Sequence, residues 1–206
     1  MSDDEPPSSR PRPSSATERP AFDIAVEVAA EGWRATLPRA AALARAAAAA
    51  ALAATGYGPL ADRIELGVRL SDDDELRALN TRHRAIDRPT NVLSFAAADC
   101  VPGRPPAPPA AGAPLALGDL VVALGTTARE ARLAGRPLAD HFSHLIVHGT
   151  LHLVGYDHET EADAAAMERQ EIAILAGLGV PDPYSTPSSS GEPDNGPKGH
   201  EQPPAA

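Results

Sequence analysis

Prolines set the outer limits of what this chain can fold into. Of its 22 prolines, 18 fall in three segments: residues 1–20, 101–115 and 181–206. Proline fixes φ and lacks an amide donor, so helices and sheets are not built through such runs. The compact part is therefore expected over residues 21–184, with one Pro-rich interruption. A stretch of about 160 residues buries enough surface for one stable core. Residues 1–20 and 185–206 are rich in Pro, Ser, Gly and acid. They cannot offset chain entropy by burial and are expected to be disordered tails. A single cysteine, Cys100, excludes a disulfide scaffold.

Inside those limits the apolar pattern switches between two periods. Phe22, Ile24, Val26 and Val28 alternate with polar or small residues, which predicts a half-buried strand. Pro38 opens an Ala-rich helix to about Thr55, stopped by Gly56 and Gly58. Ile64, Leu66, Val68 and Leu70 predict a second strand. Ser71 is expected to cap the next helix, whose acidic first turn suits the positive end of the dipole. That helix runs to Arg82 or Arg84 with Leu76 and Leu79 inward. Short strands are expected at 91–95 and 119–124. A helix capped by Thr126 or Thr127 follows, ending at Gly135, then helices at 138–154 and 160–177. Segment 99–116 reads as a mobile Pro-rich excursion between two strands. The order predicts an α+β or mixed α/β domain with a small sheet.

The formal net charge of -10 argues against a general nucleic-acid coat. Arg77, Arg82, His83, Arg84 and Arg88 nevertheless fall within twelve residues, against Glu75 and Asp87. From charge alone, a solvated helix face is the favoured reading. The acidic N-terminus has no apolar core of a signal peptide, and Ala46–Ala54 is too short to span a bilayer. A cytoplasmic protein without a membrane partner is expected.

Five of the seven histidines lie between His141 and His158. His148 and His152 stand one turn apart on one helix face, so their rings can converge on one ion. His144 and His152 are separated by about 12 Å along the axis, too far for one ion on a straight helix. The third ligand is expected from beyond the helix. Gly155 can take the left-handed conformation that ends a helix, and the chain can then return His158 to the pair. The frame H-x-x-x-H-x-x-G-x-x-H has the ligand spacing of metzincin peptidases. The general-base Glu of those enzymes is Gly149 here, so the metal frame survives and the peptidase chemistry does not. Three protein ligands leave a fourth position for water, as in catalytic zinc sites. His144 reads equally as a group behind the ligands or facing substrate, and as a helix-surface histidine. Asp157 can orient a ligand imidazole or cap the next helix, and capping is favoured. His141 is expected to be exposed.

The run His148-Gly-Thr-Leu-His-Leu-Val-Gly-Tyr-Asp-His158 resembles the signature of the YbeY family. These are bacterial metal-dependent endoribonucleases acting in ribosomal RNA maturation. Other blocks agree: Leu79-Asn80, Arg84 and Pro89–Phe95; Leu117–Val121 with Glu130-Ala131; and Met167, Glu168 and Glu171. The resemblance covers residues 21–184. It implies an α+β fold with a small mixed sheet and one zinc ion in a cleft at the His-rich helix. It implies His148, His152 and His158 as zinc ligands and Arg84 as the catalytic arginine. It further implies single-strand-specific cleavage in ribosomal RNA processing, including 16S rRNA 3′-end maturation, ribosome biogenesis and quality control. The implied partners are precursor ribosomal RNA and the small ribosomal subunit or its assembly factors. No general base stands out: metal-bound hydroxide, His144, or a ribose hydroxyl acting as the nucleophile are all open. The rival readings are a different metal hydrolase, such as a peptidase, and an assembly factor whose zinc is structural.

Overall fold

The computed structural model describes residues 22–107, 110 and 113–185. The expected tails, Ser185 apart, lie outside the described residues. In chain order the elements are β1 (Asp23–Val28), α1 (Gly32–Thr36), α2 (Ala40–Ala54) and a 3-10 turn (Gly58–Arg63). Then come β2 (Ile64–Ser71), α3 (Asp73–Arg84), β3 (Val92–Ala96) and β4 (Leu115–Ala123). The helices α4 (Leu124–Leu133), α5 (Leu138–Leu153) and α6 (Glu161–Gly177) complete the fold.

The four strands form one mixed sheet in the order β1-β2-β4-β3. β1 with β2 and β2 with β4 run parallel, and β3 pairs antiparallel to β4. The expected α+β architecture with a small mixed sheet is what forms. Strand alternation divides the side chains between two faces. Leu66, Val68, Leu70, Leu120 and Val122 join the main core with α2 and α5. Val121 and Ala123 turn the other way, toward Leu76 of α3 and Leu93. Fully burying one such Leu is worth about 2 kcal/mol.

α2 is almost all alanine because it is pressed close to its neighbours. Ala44, Ala47, Ala48 and Ala51 are fully enclosed in the core, which also holds Phe142 and Ile146 of α5. Trp33 on α1, an element without a signal in the apolar pattern, is completely buried. Its indole N–H donates to the Ser71 carbonyl at 2.8 Å, and its ring centroid lies 5.1 Å from that of Phe142.

Two predicted caps are corrected. Ser71 ends β2, and Asp72 is the cap of α3, its carboxylate accepting from the Glu75 amide at 3.0 Å. Ser71 instead hydrogen-bonds the Glu75 carboxylate through its hydroxyl. α4 starts at Leu124, so Thr126 and Thr127 lie buried inside its first turn. Its free amide is met from another helix: Asp73 of α3 accepts from the Thr126 N–H at 2.8 Å. A carboxylate there also suits the helix dipole. The Pro-rich excursion is shorter than expected, because residues 115 and 116 already belong to β4.

Candidate metal centre

α5 buries Phe142, Leu145, Ile146, Gly149 and Leu153. A second stripe carries His141, His144, His148 and His152 at spacings of three and four, which brings them onto one side. At Gly149 α5 comes close to the sheet. A Cβ there would sit 2.9 Å from Leu120 Cδ2 and 3.2 Å from Ser94 Oγ. The position that a metzincin gives to its glutamate is thus pressed against β3 and β4, and the peptidase base has no room.

Beyond α5 the chain reverses at Gly155, whose φ of 94° lies in the left-handed region. A Cβ at this glycine would fall 2.3 Å from the Cys100 carbonyl oxygen, so the turn also needs its small size. The reversal returns His158 to the pair. The ring centroids of His158 are 5.7 Å from His148 and 5.0 Å from His152. One nitrogen from each of the three rings lies within 4.8 Å of the others.

The protons of the helix pair are fixed from behind. His148 Nδ1 lies 2.7 Å from Glu171 Oε1, and His152 Nδ1 lies 3.0 Å from the Tyr156 carbonyl. Both acceptors require an N–H, so in the neutral rings both Nε2 atoms carry lone pairs. Those two Nε2 atoms are 3.1 Å apart. Two lone pairs at that separation repel unless a cation lies between them. Tetrahedral zinc with bonds near 2.0–2.1 Å places neighbouring ligand atoms roughly 3.3 Å apart. The donor set therefore fits a metal ion. Burial, then the neighbouring His148 and His158, lower the His152 pKa and keep its ring neutral, as a ligand must be.

Glu171 of α6 is completely buried. It accepts from His148, from His144 Nε2 at 2.9 Å and from the Tyr184 hydroxyl. Burial pushes its carboxyl pKa up, but the three donors outweigh it and hold the group at about 2. His144, His148 and Glu171 also converge closely enough to be a second ion-holding group. There the carboxylate already lies in hydrogen-bond contact with both imidazoles.

The pocket beside the three histidines has a volume of about 380 Å³. Arg84, Thr90, Asn91, Ser94 and Asp157 also line it. Arg84 is the last residue of α3, and Ala85 follows in the left-handed conformation with φ 57°. Of the residues singled out from sequence, His148, His152, His158, Arg84 and Asp157 share this pocket. His144 lines the neighbouring cavity instead and faces Glu171. Asp157 does not cap α6, because Thr160 does; its carboxylate accepts from the His158 amide at 2.7 Å. His141 is not exposed: its side chain is 14% accessible and pairs with Glu130 at 3.0 Å. Glu171 carried a family likeness but no spacing signal, and Tyr184 carried neither.

The α+β sheet and the three converging imidazoles define a candidate mononuclear metal centre on a compact scaffold. The chain belongs to the Endoribonuclease YbeY family, whose model matches residues 29–179. Three proteins named Endoribonuclease YbeY illustrate the likeness. That of Rhodopseudomonas palustris (strain BisB5) is 49% identical over 183 residues, 84% of this chain and 86% of its own. That of Paramagnetospirillum magneticum is 47% identical, covering 79% of this chain and 96% of its own. That of Alkalilimnicola ehrlichii is 49% identical, covering 83% and 96%. The solution structure of TM1509 from Thermotoga maritima covers 80% of this chain at 20% identity, with a TM-score of 0.45.

Proposed function

We propose that this chain is a zinc-dependent endoribonuclease acting on single-stranded segments of ribosomal RNA precursors. The single observation that carries the metal reading is the pair of facing Nε2 atoms, 3.1 Å apart, on His148 and His152. Family membership supports RNA as the substrate. It also supports 16S rRNA 3′-end maturation, ribosome biogenesis and quality control as the setting, and the small ribosomal subunit or its assembly factors as partners. Among the described residues no helix is long and apolar enough to cross a membrane. A cytoplasmic site of action is part of the proposal.

His148, His152 and His158 hold the ion, and three imidazoles suit zinc. When bound, zinc supplies Lewis acidity to a phosphodiester oxygen. Glu171 keeps the proton of His148 on Nδ1, and the Tyr156 carbonyl does the same for His152. Each lone pair is thereby aimed at the centre. Arg84 lines the same pocket and presents a planar fork of donors to the phosphate. It stabilises the extra negative charge that develops there during cleavage. His144 positions Glu171 from the far side of the ligand shell.

The test measures metal content and cleavage together. Purified protein is expected to carry one zinc per chain and to cut single-stranded RNA. His148→Ala should lose both, and Arg84→Gln should keep the zinc and lose cleavage. Protein without stoichiometric metal, or peptide cleavage lost in His148→Ala while RNA is untouched, would defeat the reading.

A further inference from the structure

The arginine-rich stretch seen in the sequence is re-sorted by the fold. Arg77 turns into a two-pronged pair with Asp87, at 2.7 and 2.9 Å. Arg84 and Arg88 instead line a second cavity of about 320 Å³, and Arg129 of α4 joins them there. Arg84 and Thr90 line both this cavity and that of the three histidines, so the two are contiguous.

The nearby acids are already engaged. Asp87 is held by Arg77, and Glu130 accepts from Asn91 at 2.9 Å and pairs with His141. Among the described residues Arg84 and Arg88 form no ion pair. Arg129 donates to Thr126 Oγ1 at 2.9 Å and lies 3.7 Å from an Asp73 oxygen. Three guanidinium groups thus line the cavity against one lining carboxylate, Glu130, with Asp73 beyond Arg129, in a chain whose overall charge is -10. Clustered like charges repel until an anion enters between them.

Arg88 is also built in place. Asn80 is 3% exposed, and its side-chain N–H donates to the Arg88 carbonyl at 2.8 Å. The Ile86 amide returns to the Asn80 carbonyl at 3.4 Å. The loop behind the cavity is therefore tied to α3 through its backbone, which sets where the Arg88 side chain leaves the chain.

We infer that this second cavity is a backbone-phosphate subsite. Arg88 and Arg129 hold the phosphodiester of a nucleotide adjoining the cleaved linkage, and Arg84 lies at the junction of the two cavities. The inference rests on the endoribonuclease reading and extends its footprint by a nucleotide. Guanidinium forks match phosphate oxygens, and such contacts position a strand without reading its sequence. An acidic chain thereby gains a local grip on RNA without binding nucleic acid everywhere.

Arg88→Gln, Arg129→Gln and the double variant test this. Arg34→Gln, which makes the same charge change on α1, is the control. Affinity for a short labelled strand of 2′-O-methyl RNA is measured across a salt series, with zinc content and melting recorded for each variant. Each single variant should bind roughly tenfold more weakly. Each should also lose about 0.7 from the slope of log affinity against log salt, and the double about 1.4. Arg34→Gln should match wild type. RNA cleavage by wild type, with an unchanged salt slope in a folded double variant, overturns the subsite alone. Wild type that cuts no RNA overturns the endoribonuclease reading and the subsite with it.

Discussion

His148 Nδ1 lies 2.7 Å from Oε1 of Glu171, a carboxylate with no solvent exposure that sits 23 residues further along the chain. The contact fixes which nitrogen of a proposed ligand carries the proton. Glu171→Gln leaves the shape and replaces one acceptor oxygen by an amide donor, which then faces an imidazole N–H. Zinc affinity, read by competition with a chromogenic chelator, is expected to fall 10–100-fold. An unchanged affinity would mean that the carboxylate does not orient His148.

Gly155→Ala should disturb the centre from outside it. The position needs positive φ, and the added carbon would overlap the Cys100 carbonyl. Strain and overlap together should cost about 2–4 kcal/mol, measured by urea unfolding. Because the same turn returns His158, zinc affinity should fall as well. A stable variant with full affinity would show that the reversal tolerates a side chain.

Ala85 offers the opposite sign. Among the described residues it is the non-glycine one with positive φ, 57°, at the C-cap of α3. Ala85→Gly relieves the left-handed strain and loses part of the gain to greater freedom in the unfolded chain. A net stabilisation of about 0.5–1 kcal/mol is expected, seen as a higher melting temperature. A lower melting temperature would contradict this.

Acid should weaken the link between α4 and α5. Burial raises the Glu130 pKa, but hydrogen bonds from His141 and Asn91 outweigh it and leave the carboxyl below its ordinary value. The unfolded chain therefore takes up this proton at a higher pH than the folded one. The contribution is fully present above the ordinary carboxyl value of about 4.5 and fades as pH falls through the lower folded value. Stability should rise with pH across that window, and Glu130→Gln should flatten the rise. Equal slopes in both proteins, followed by unfolding at stepped pH, would remove Glu130 as the cause.

What the sequence alone determined is local. Period-two alternation located β1 and β2, and a frame of i and i+4 histidines followed by glycine brought His148, His152 and His158 together. Both depend on backbone geometry that neighbouring residues set for themselves. The departures arise where a distant residue takes over a local role. Asp73 of α3 meets the free amide of α4, so neither threonine is needed as its cap. Trp33 is buried by Phe142 and by a bond to Ser71, which no pattern within five residues of α1 could announce. Most of the site's support is of this kind. Glu171 and Tyr184 reach the histidines only because α6 packs on α5, and Arg129 and Arg88 line one cavity only because α4 packs against α3. Spacing in the chain chose the frame of the three histidines; packing between elements chose what stands behind and beside it.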